Sequence, residues 1–479
     1  MHSVAQALQS LNNLAKSSPV ASLADAFQAA HKELALVGGP VRDAFLGKQL
    51  TDLDFTTDAS PEEVLALVAP IAEAVWDVGR AFGTVAAQIG GEKCEITTYR
   101  ADSYDGVSRK PEVHFGKTLE EDLARRDFTV NAIAVRLPEL VLVDPSGGID
   151  DLIAKRICAP GAATDSFDDD PLRMMRAARF VSQLGFSLDP EVEWAMQERA
   201  ASIQRISLER VNEELSKLLS TPDPAEGIRI LVTSGITDYV LPELSALRLE
   251  VDEHHHHKDV YEHSLTVLSQ AIALEGERFP HVAPDLTLRL AALLHDIGKP
   301  ATRKLEAGGA VSFHHHDVVG AKLARKRLKE LRFDNETVKN VSLLIELHLR
   351  FFGYSENAWT DSAVRRYVRD AGSQLARLHI LTRADVTTRN KKKAQFLAHA
   401  YDDIERRIDE IAASEELAAI RPDLDGEDIM RILNLSPGKD VGRAYGFLMN
   451  VRLDEGPLGR EEATQRLLSW WNDNKKSVS

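Results

Sequence analysis

The sequence predicts an α+β fold, with a mixed α/β unit over about the first 150 residues and an array of helices after it. Up to that point, short strand-like runs alternate with glycine turns and brief helical patterns. From about residue 165, apolar residues recur at three- and four-residue spacing, as in PLRMMRAARFVSQLGF and ERVNEELSKLL. A length of 479 residues also exceeds what one core holds, so about three or more domains are expected.

Residues 34–37, LALV, read as a short buried strand. Gly38 and Gly39 follow, then a helix-compatible VRDAFLG and a second strand at DLDFTT, 52–57. Ser60, Pro61, Glu62 and Glu63 form a helix start, with Ser as N-cap, Pro at the first helical position and acids where the macrodipole favours them. TVAAQI (84–89), Gly90–Gly91 and KCEITTY (93–99) read as a hairpin with a wide turn. In the helical part, breaks fall near TPDPAEG (221–227), the histidines at 254, the glycines 308 and 309, and FFGYSENAWTD (351–361).

Composition narrows the function classes. The chain is 44% hydrophobic and 28% charged, as in ordinary soluble globular proteins. It has no apolar run long enough to cross a bilayer and no signal-like start, so a cytoplasmic location is expected. Cys94 and Cys158 are the only cysteines, which excludes a disulfide framework or a thiolate zinc site. A net charge of -16 argues against a broadly basic surface for duplex nucleic acid, but local basic tracts occur in KLARKRLKELR (322–332) and RNKKK (389–393). Each tract alone reads as a solvated helix face.

Chemistry is concentrated in LVGGPVRDAFLGKQLTDLDFTT. Gly38 and Gly39 let backbone approach a ligand, the following helix start offers N–H groups to phosphate oxygens, and Arg42 adds a cation. Asp52 and Asp54 share a strand face, so both carboxylates can bind the same pair of Mg²⁺ ions, which suits nucleotidyl transfer. Glu95 on the neighbouring strand is a candidate third carboxylate. Further on, Arg125, Arg126 and Asp127 precede a strand-like run, and Arg173, Arg176 and Arg179 recur on one helix behind Asp169 and Asp170. One reading is a helix capped by aspartates that pair with those arginines. The other is recognition of a base edge, for which Arg donates and Asp accepts.

Together, LVGGPVRDAFLG…DLD, RRDFTVNAIAV and DDDPLRMMRAARFVSQLGF resemble the class II tRNA nucleotidyltransferases, or CCA-adding enzymes, of the polymerase β-like nucleotidyltransferase superfamily, over roughly residues 20–250. The resemblance implies Gly38, Gly39 and Arg42 at the nucleotide and Asp52 and Asp54 as ligands of Mg²⁺. It further implies Arg126 and Asp127 as ribose and nucleotide contacts. Asp170 and Arg173 would form a protein template for CTP or ATP, and Arg176 and Arg179 triphosphate or base contacts. Asp169 stands where the family usually has Glu. ADSYDGVSRKPEVHF (101–115) resembles the family's flexible loop, thought to help the switch from C to A.

A second set, His263, then His295–Asp296, then Asp385, resembles the HD-domain metal phosphohydrolases over roughly residues 255–390. Imidazoles and carboxylates hold a divalent metal whose open positions activate water for phosphate hydrolysis. His316 and His348 fit the extended, two-metal version. Of the run EHHHHKDVYEHS (253–264), His254, His255 and His256 read as solvated loop and His257 as near the metal, leaving His263 as the ligand. LDGEDIMRILNLSPGKDVGRAYGFL (424–448) resembles the part that follows the HD region in the same enzymes.

The expected organisation is a nucleotidyltransferase head with mixed sheet (20–155), an all-α neck for base and RNA binding (156–250), an HD domain (255–395) and a helical tail (396–479). The expected activity is template-independent addition of CCA to tRNA from CTP and ATP. Mg²⁺ is expected at the head and an unidentified divalent metal at the HD site, with no membrane and no obligate protein partner. A bacterial poly(A) polymerase shares this head, but that branch tends to carry a second basic residue and a His or Gln where VGRAFGTVAA has Ala81 and Ala86. A CC-adding or A-adding relative is an alternative, as is an HD phosphohydrolase with a non-catalytic, RNA-binding head.

Overall fold

The computed structural model describes all residues except 1, 51–52, 80–82, 101–115, 250, 253–257, 307–310, 352–353, 355–358, 389, 415–419 and 476–479. Asp52, Ala81, the segment 101–115 and His254, His255, His256 and His257 therefore lie outside the described residues. The chain forms two compact units, 1–240 and 241–479.

The first unit opens with α1 (Val4–Ala15) and α2 (Ser18–Ala29), then β1 (Leu34–Val37), α3 (Gly39–Leu46), β2 (Leu53–Thr57) and α4 (Pro61–Val68). β3 (Ala74–Gly79), β4 (Thr84–Ile89), β5 (Glu92–Thr98), α5 (Leu119–Ala124), β6 (Ala134–Leu137) and β7 (Val141–Val143) complete the head. The seven strands lie in the order β3-β4-β5-β2-β1-β6-β7. Every neighbouring pair is antiparallel except β2 and β5, which run parallel with Asp54 beside Glu95. The expected mixed sheet is thus present.

β1 is buried along its whole length because it lies between β2 and β6 and is covered on both faces. Ala35 and Val37 pack with Tyr99, Leu119 and Leu123, so α5 seals one face of the sheet. That face also carries Asp54, since Ala35 pairs directly with Thr56 and side chains two apart on β2 share a side. Ser60 caps α4 in a reciprocal box with Glu63.

Two local readings are corrected. Ile89 pairs with Glu92, so only Gly90 and Gly91 connect the strands; both have positive φ (61° and 80°), as the tight type I′ turn requires, and the turn is not wide. After Asp127 the chain makes a 3₁₀ turn at Thr129–Asn131 before β6, because Asp127 Oδ1 takes the Phe128 N–H and Asn131 Nδ2 and folds the segment back.

Helices α6 (Gly148–Ala154), α7 (Ala163–Asp169), α8 (Leu172–Leu184), α9 (Pro190–Arg199), α10 (Leu208–Leu219) and α11 (Ala225–Thr233) follow. Met174, Ala177, Ala178 and Val181 bury one face of α8, and Gly227 lets α11 approach so closely that its N–H reaches Ser182 Oγ at 2.9 Å.

In the second unit, helices Val260–Arg278, Leu286–Leu294, His316–Glu330, Asn335–Leu347 and Leu375–Ala384 surround a core rich in leucine. Helices Gly426–Leu433, Lys439–Glu455 and Arg460–Lys475 close around their own apolar cluster of Leu424, Ile429, Leu448 and Leu467. Among the described residues no helix is long and apolar enough to cross a membrane.

Gly148 abuts the 3₁₀ turn: a Cβ there would lie 2.1 Å from Thr129 O. That atom is backbone and cannot swing aside, so Gly148→Ala should cost about 1–3 kcal/mol, read as a lowered urea midpoint; an unchanged midpoint would count against this packing.

Candidate functional site

In the first unit the chain leaves β1 through Gly38 at φ 72°, a left-handed conformation that favours glycine. A Cβ on Gly38 would lie 3.5 Å from Arg126 Nη1, and one on Gly39 would meet nothing within 4 Å. The turn therefore faces open space beside a guanidinium. Below it, Asp54 and Glu95 stand on neighbouring strands in register, and Glu95 Oε1 lies 2.6 Å from Lys93 Nζ.

A hydrogen-bonded chain joins Arg42, Asn131, Asp127 and Arg176. Arg42 is buried; its Nη1 donates to Asn131 Oδ1 (2.8 Å), and its Nε donates to Asp43 Oδ1 (2.9 Å). Asn131 Nδ2 donates to Asp127 Oδ1 (3.1 Å), while Arg176 Nε and Nη2 both donate to Asp127 Oδ2 (2.8 and 2.5 Å). With the Phe128 N–H, Asp127 accepts four bonds, about all a carboxylate can take. Burial would raise its pKa, but the Arg176 charge and the Asn131 bond outweigh that and hold it at about 2. The guanidiniums of Arg42, Arg176 and Arg179 lie 5.5, 5.6 and 4.2 Å from the Phe180 ring centroid, so three cations gather around one aromatic ring.

The three arginines of α8 do not pair with Asp170. Arg173 donates to Ser166 Oγ and to Arg125 O (both 2.8 Å), Arg176 pairs with Asp127, and Arg179 is held by Glu214 and by Gln183 at 2.7 Å. Asp170 instead accepts the Leu172 N–H (3.1 Å) and Arg210 Nη2 (2.7 Å). Asp170 thus caps the start of α8 as one reading expected, but the arginines of α8 do not pair with it: their partners come from α7, α10, α8 itself and residues 125–127. Asn131, Asp122 and Arg210 were missed in the sequence. Asn131 had a signal, since it stands four residues after Asp127 within a motif already singled out; Arg210 had none, lying 40 positions from Asp170.

In the second unit, His263, His295 and Asp385 form one group able to hold a metal ion, and Asp296, His316 and His348 a second. His263 Nε2 lies 2.9 Å from Asp385 Oδ1 and 3.2 Å from His295 Nε2, and His316 Nε2 lies 3.3 Å from Asp296 Oδ1. The donor set fits a divalent cation. His295, His316 and His348 place Nδ1 on the carbonyl three residues back (Ala292, Phe313, Ile345; 2.9, 2.8 and 2.6 Å). A carbonyl only accepts, so Nδ1 carries a proton in each ring and Nε2 is the nitrogen left to face the cluster. His348 Nε2 is buried without a hydrogen-bond partner. Burial disfavours charge on His295, yet Asp296 and Asp385 push it up to about 10; burial and the His295 charge hold His348 down at about 4. A cavity of about 180 Å³ opens onto this cluster and is also lined by Lys299, Thr387 and Lys393. Lys299 Nζ lies 2.9 Å from Asp296 Oδ2.

Two outcomes follow from these contacts. Asp127 has a depressed pKa, so its ion pair contributes fully above its ordinary value near 4 and is lost as pH falls through about 2. Arg176→Met should therefore be markedly less stable than the parent at pH 6, with a urea-midpoint gap that closes by about pH 2. A gap independent of pH would refute the pairing. After loading with Mn²⁺ and dialysis, about two ions per chain should be retained at the second-unit cluster, falling to about one in His348→Ala; equal retention would exclude that histidine.

Comparison with known proteins matches three regions of the chain. Residues 34–158 match the poly A polymerase head domain, 185–247 the probable RNA and SrmB-binding site of polymerase A, and 260–390 the HD domain. The A-adding tRNA nucleotidyltransferase of Deinococcus radiodurans is 36% identical over 447 residues, covering 91% of this chain and 95% of the relative. The CC-adding tRNA nucleotidyltransferase of Thermus thermophilus is 31% identical, covering 92% and 94%. The CCA-adding enzyme of Geobacillus kaustophilus is 44% identical over 215 residues, 45% of this chain and 52% of that one. The crystal structure of the Bacillus stearothermophilus CCA-adding enzyme in complex with CTP shares the fold at 24% identity, with a TM-score of 0.67 over 98% of this chain and 99% of that one. Alignment along nearly the full length with two such enzymes shows that this chain is a tRNA nucleotidyltransferase that carries an HD domain and belongs to their family.

Proposed function

We propose that the chain completes the tRNA 3′ end by adding C, C and A from CTP and ATP without a nucleic-acid template. The observation that carries this reading is the convergence of the Gly38 turn, Arg126, Asp54 and the Asp127–Arg176 pair in one unit with Asp170 and Arg173. Asp52 and Asp54 would hold Mg²⁺, with Glu95 beside them; the ions supply a more acidic 3′-hydroxyl and charge for the leaving pyrophosphate. The chain's own groups do the rest. Backbone at Gly38 and Gly39, with Arg126 and Arg176, binds and orients the triphosphate. Asp170 accepts from the exocyclic amine that C and A share, and Arg173 donates to the base edge. Arg42 and Asp127 act through the groups they hold, since their own bonding capacity is largely taken up, and Arg179 joins Arg176 as a triphosphate or base contact.

A reading as an A-adding enzyme is favoured by the Deinococcus radiodurans relative, which aligns over most of this chain. Presenting tRNA that ends at the discriminator base, in C, or in CC, with CTP, ATP or both, separates the two. Completion of all three supports the proposal, and extension of the CC end alone supports A addition. A long A tail would indicate a poly(A) polymerase, and no addition to any end would leave the HD domain as the sole activity. Asp54→Ala should lower transfer by about a thousandfold or more, and Arg173→Ala should erode the preference for CTP over UTP; an unchanged preference would remove Arg173 from the template.

For the HD site the proposal is hydrolysis of a phosphate ester. His263, His295, Asp296 and Asp385 would hold a divalent ion, with His316 and His348 joining Asp296 around a second, supplying activated water and a polarised phosphoryl oxygen. Lys299 and Lys393 would bind the phosphate oxygens from the cavity wall.

A further inference from the structure

We infer that Asp122, which touches no reacting atom, is a positioning residue for nucleotide binding, acting by aiming Arg126 at the Gly38 turn. This rests on the reading of Arg126 as a nucleotide contact. Asp122 is fully buried on α5 and accepts four donors. Oδ1 takes the Arg100 N–H (3.2 Å) and Arg125 Nε (3.4 Å), and Oδ2 takes Thr56 Oγ1 (3.2 Å) and Arg126 Nη2 (3.1 Å).

Each partner belongs to a different piece of the site. Thr56 stands two residues after Asp54 on the same face of β2, Arg100 follows β5, which carries Glu95, and Arg125 O receives Arg173. Burial would raise the Asp122 carboxyl, but Arg126 and Arg125 outweigh it and keep it ionised. With Nη2 tied to Asp122, Arg126 holds Nη1 beside Gly38 and leaves a buried Nε with no hydrogen-bond partner. Nη1, beside the open Gly38 turn, is the donor left for an oxygen of the nucleotide. One charge facing two guanidiniums also leaves the pair net positive, as a triphosphate requires. A surface ion pair would do none of this. The carboxylate is dry, so Arg126 cannot rotate away without stripping a buried charge of one of its two guanidiniums.

The test is a double-mutant cycle in the full chain, using tRNA ending in CC, or ending at the discriminator base with CTP should the CC end not be extended. Asp122→Asn keeps the shape and removes the charge. It should raise KM for the nucleotide about tenfold, with kcat within about threefold and the inhibition constant of pyrophosphate rising in step. In an Arg126→Ala background the same change should cost less than about twofold. Equal costs in both backgrounds, or a fall in kcat at unchanged KM, would overturn the proposal and leave Asp122 as a support of the fold. If Arg126→Ala alone leaves KM unchanged, the nucleotide reading of Arg126 fails instead and the proposal falls with it. Should Asp122→Asn not fold, Thr56→Val, which removes one of the four donors, replaces it in the cycle with the same direction of effect and the same criterion.

Discussion

The architecture of the first unit depends on burying carboxylates only where guanidiniums meet them. A bare carboxylate at this depth would cost several kcal/mol, yet Asp122 and Asp127 are both almost wholly enclosed, five residues apart on either side of Arg125 and Arg126. Each accepts four bonds, and each fixes a different arginine. The result is a positively charged floor whose parts cannot drift, because moving any arginine strands a charge in an apolar surround. Phe180 and Phe128, packed edge to face at 5.8 Å, close that floor from below.

The second unit meets the same difficulty with imidazoles. Three rings are oriented by carbonyl groups three residues back in the chain, so their directions are set before any ion arrives. Gly298 makes the cluster compact: a Cβ there would sit 2.1 Å from His316 O, so the loop after His295–Asp296 and the helix bearing His316 are in backbone contact. Preorganisation of this kind lowers the reorganisation needed on binding and tightens the choice of ligand geometry.

Local regularities in the sequence were legible because they are local. β1, β4 and the start of α4 coincide with residue runs whose periodicity or capping chemistry is complete within a few positions. The order of motifs also sufficed to recognise the family. What sequence could not yield were pairings across long separations. Arg210 with Asp170, Glu214 with Arg179 and Asp127 with Arg176 are decided by how α8 packs against α10 and the head. The width of the Gly90–Gly91 turn is illegible for a related reason, since it depends on the register of the strands it joins. Asp122 is inconspicuous because an aspartate inside EEDLARR looks like solvent-facing charge until Thr56 is brought to it.

The lone parallel neighbour in the sheet has a kinetic consequence. An antiparallel pair can close through a hairpin, but β2 and β5 are separated in the chain by α4, β3 and β4, and β3 and β4 lie beyond β5 in the sheet. Asp54 and Glu95 are therefore brought together by a non-local closure, whose entropic cost must be met before the contact rewards it. A nascent chain released before β5 has its glycine turn and its first acidic strand, yet no assembled carboxylate centre. Nucleotide-binding competence should accordingly appear late in folding, in one step with sheet completion.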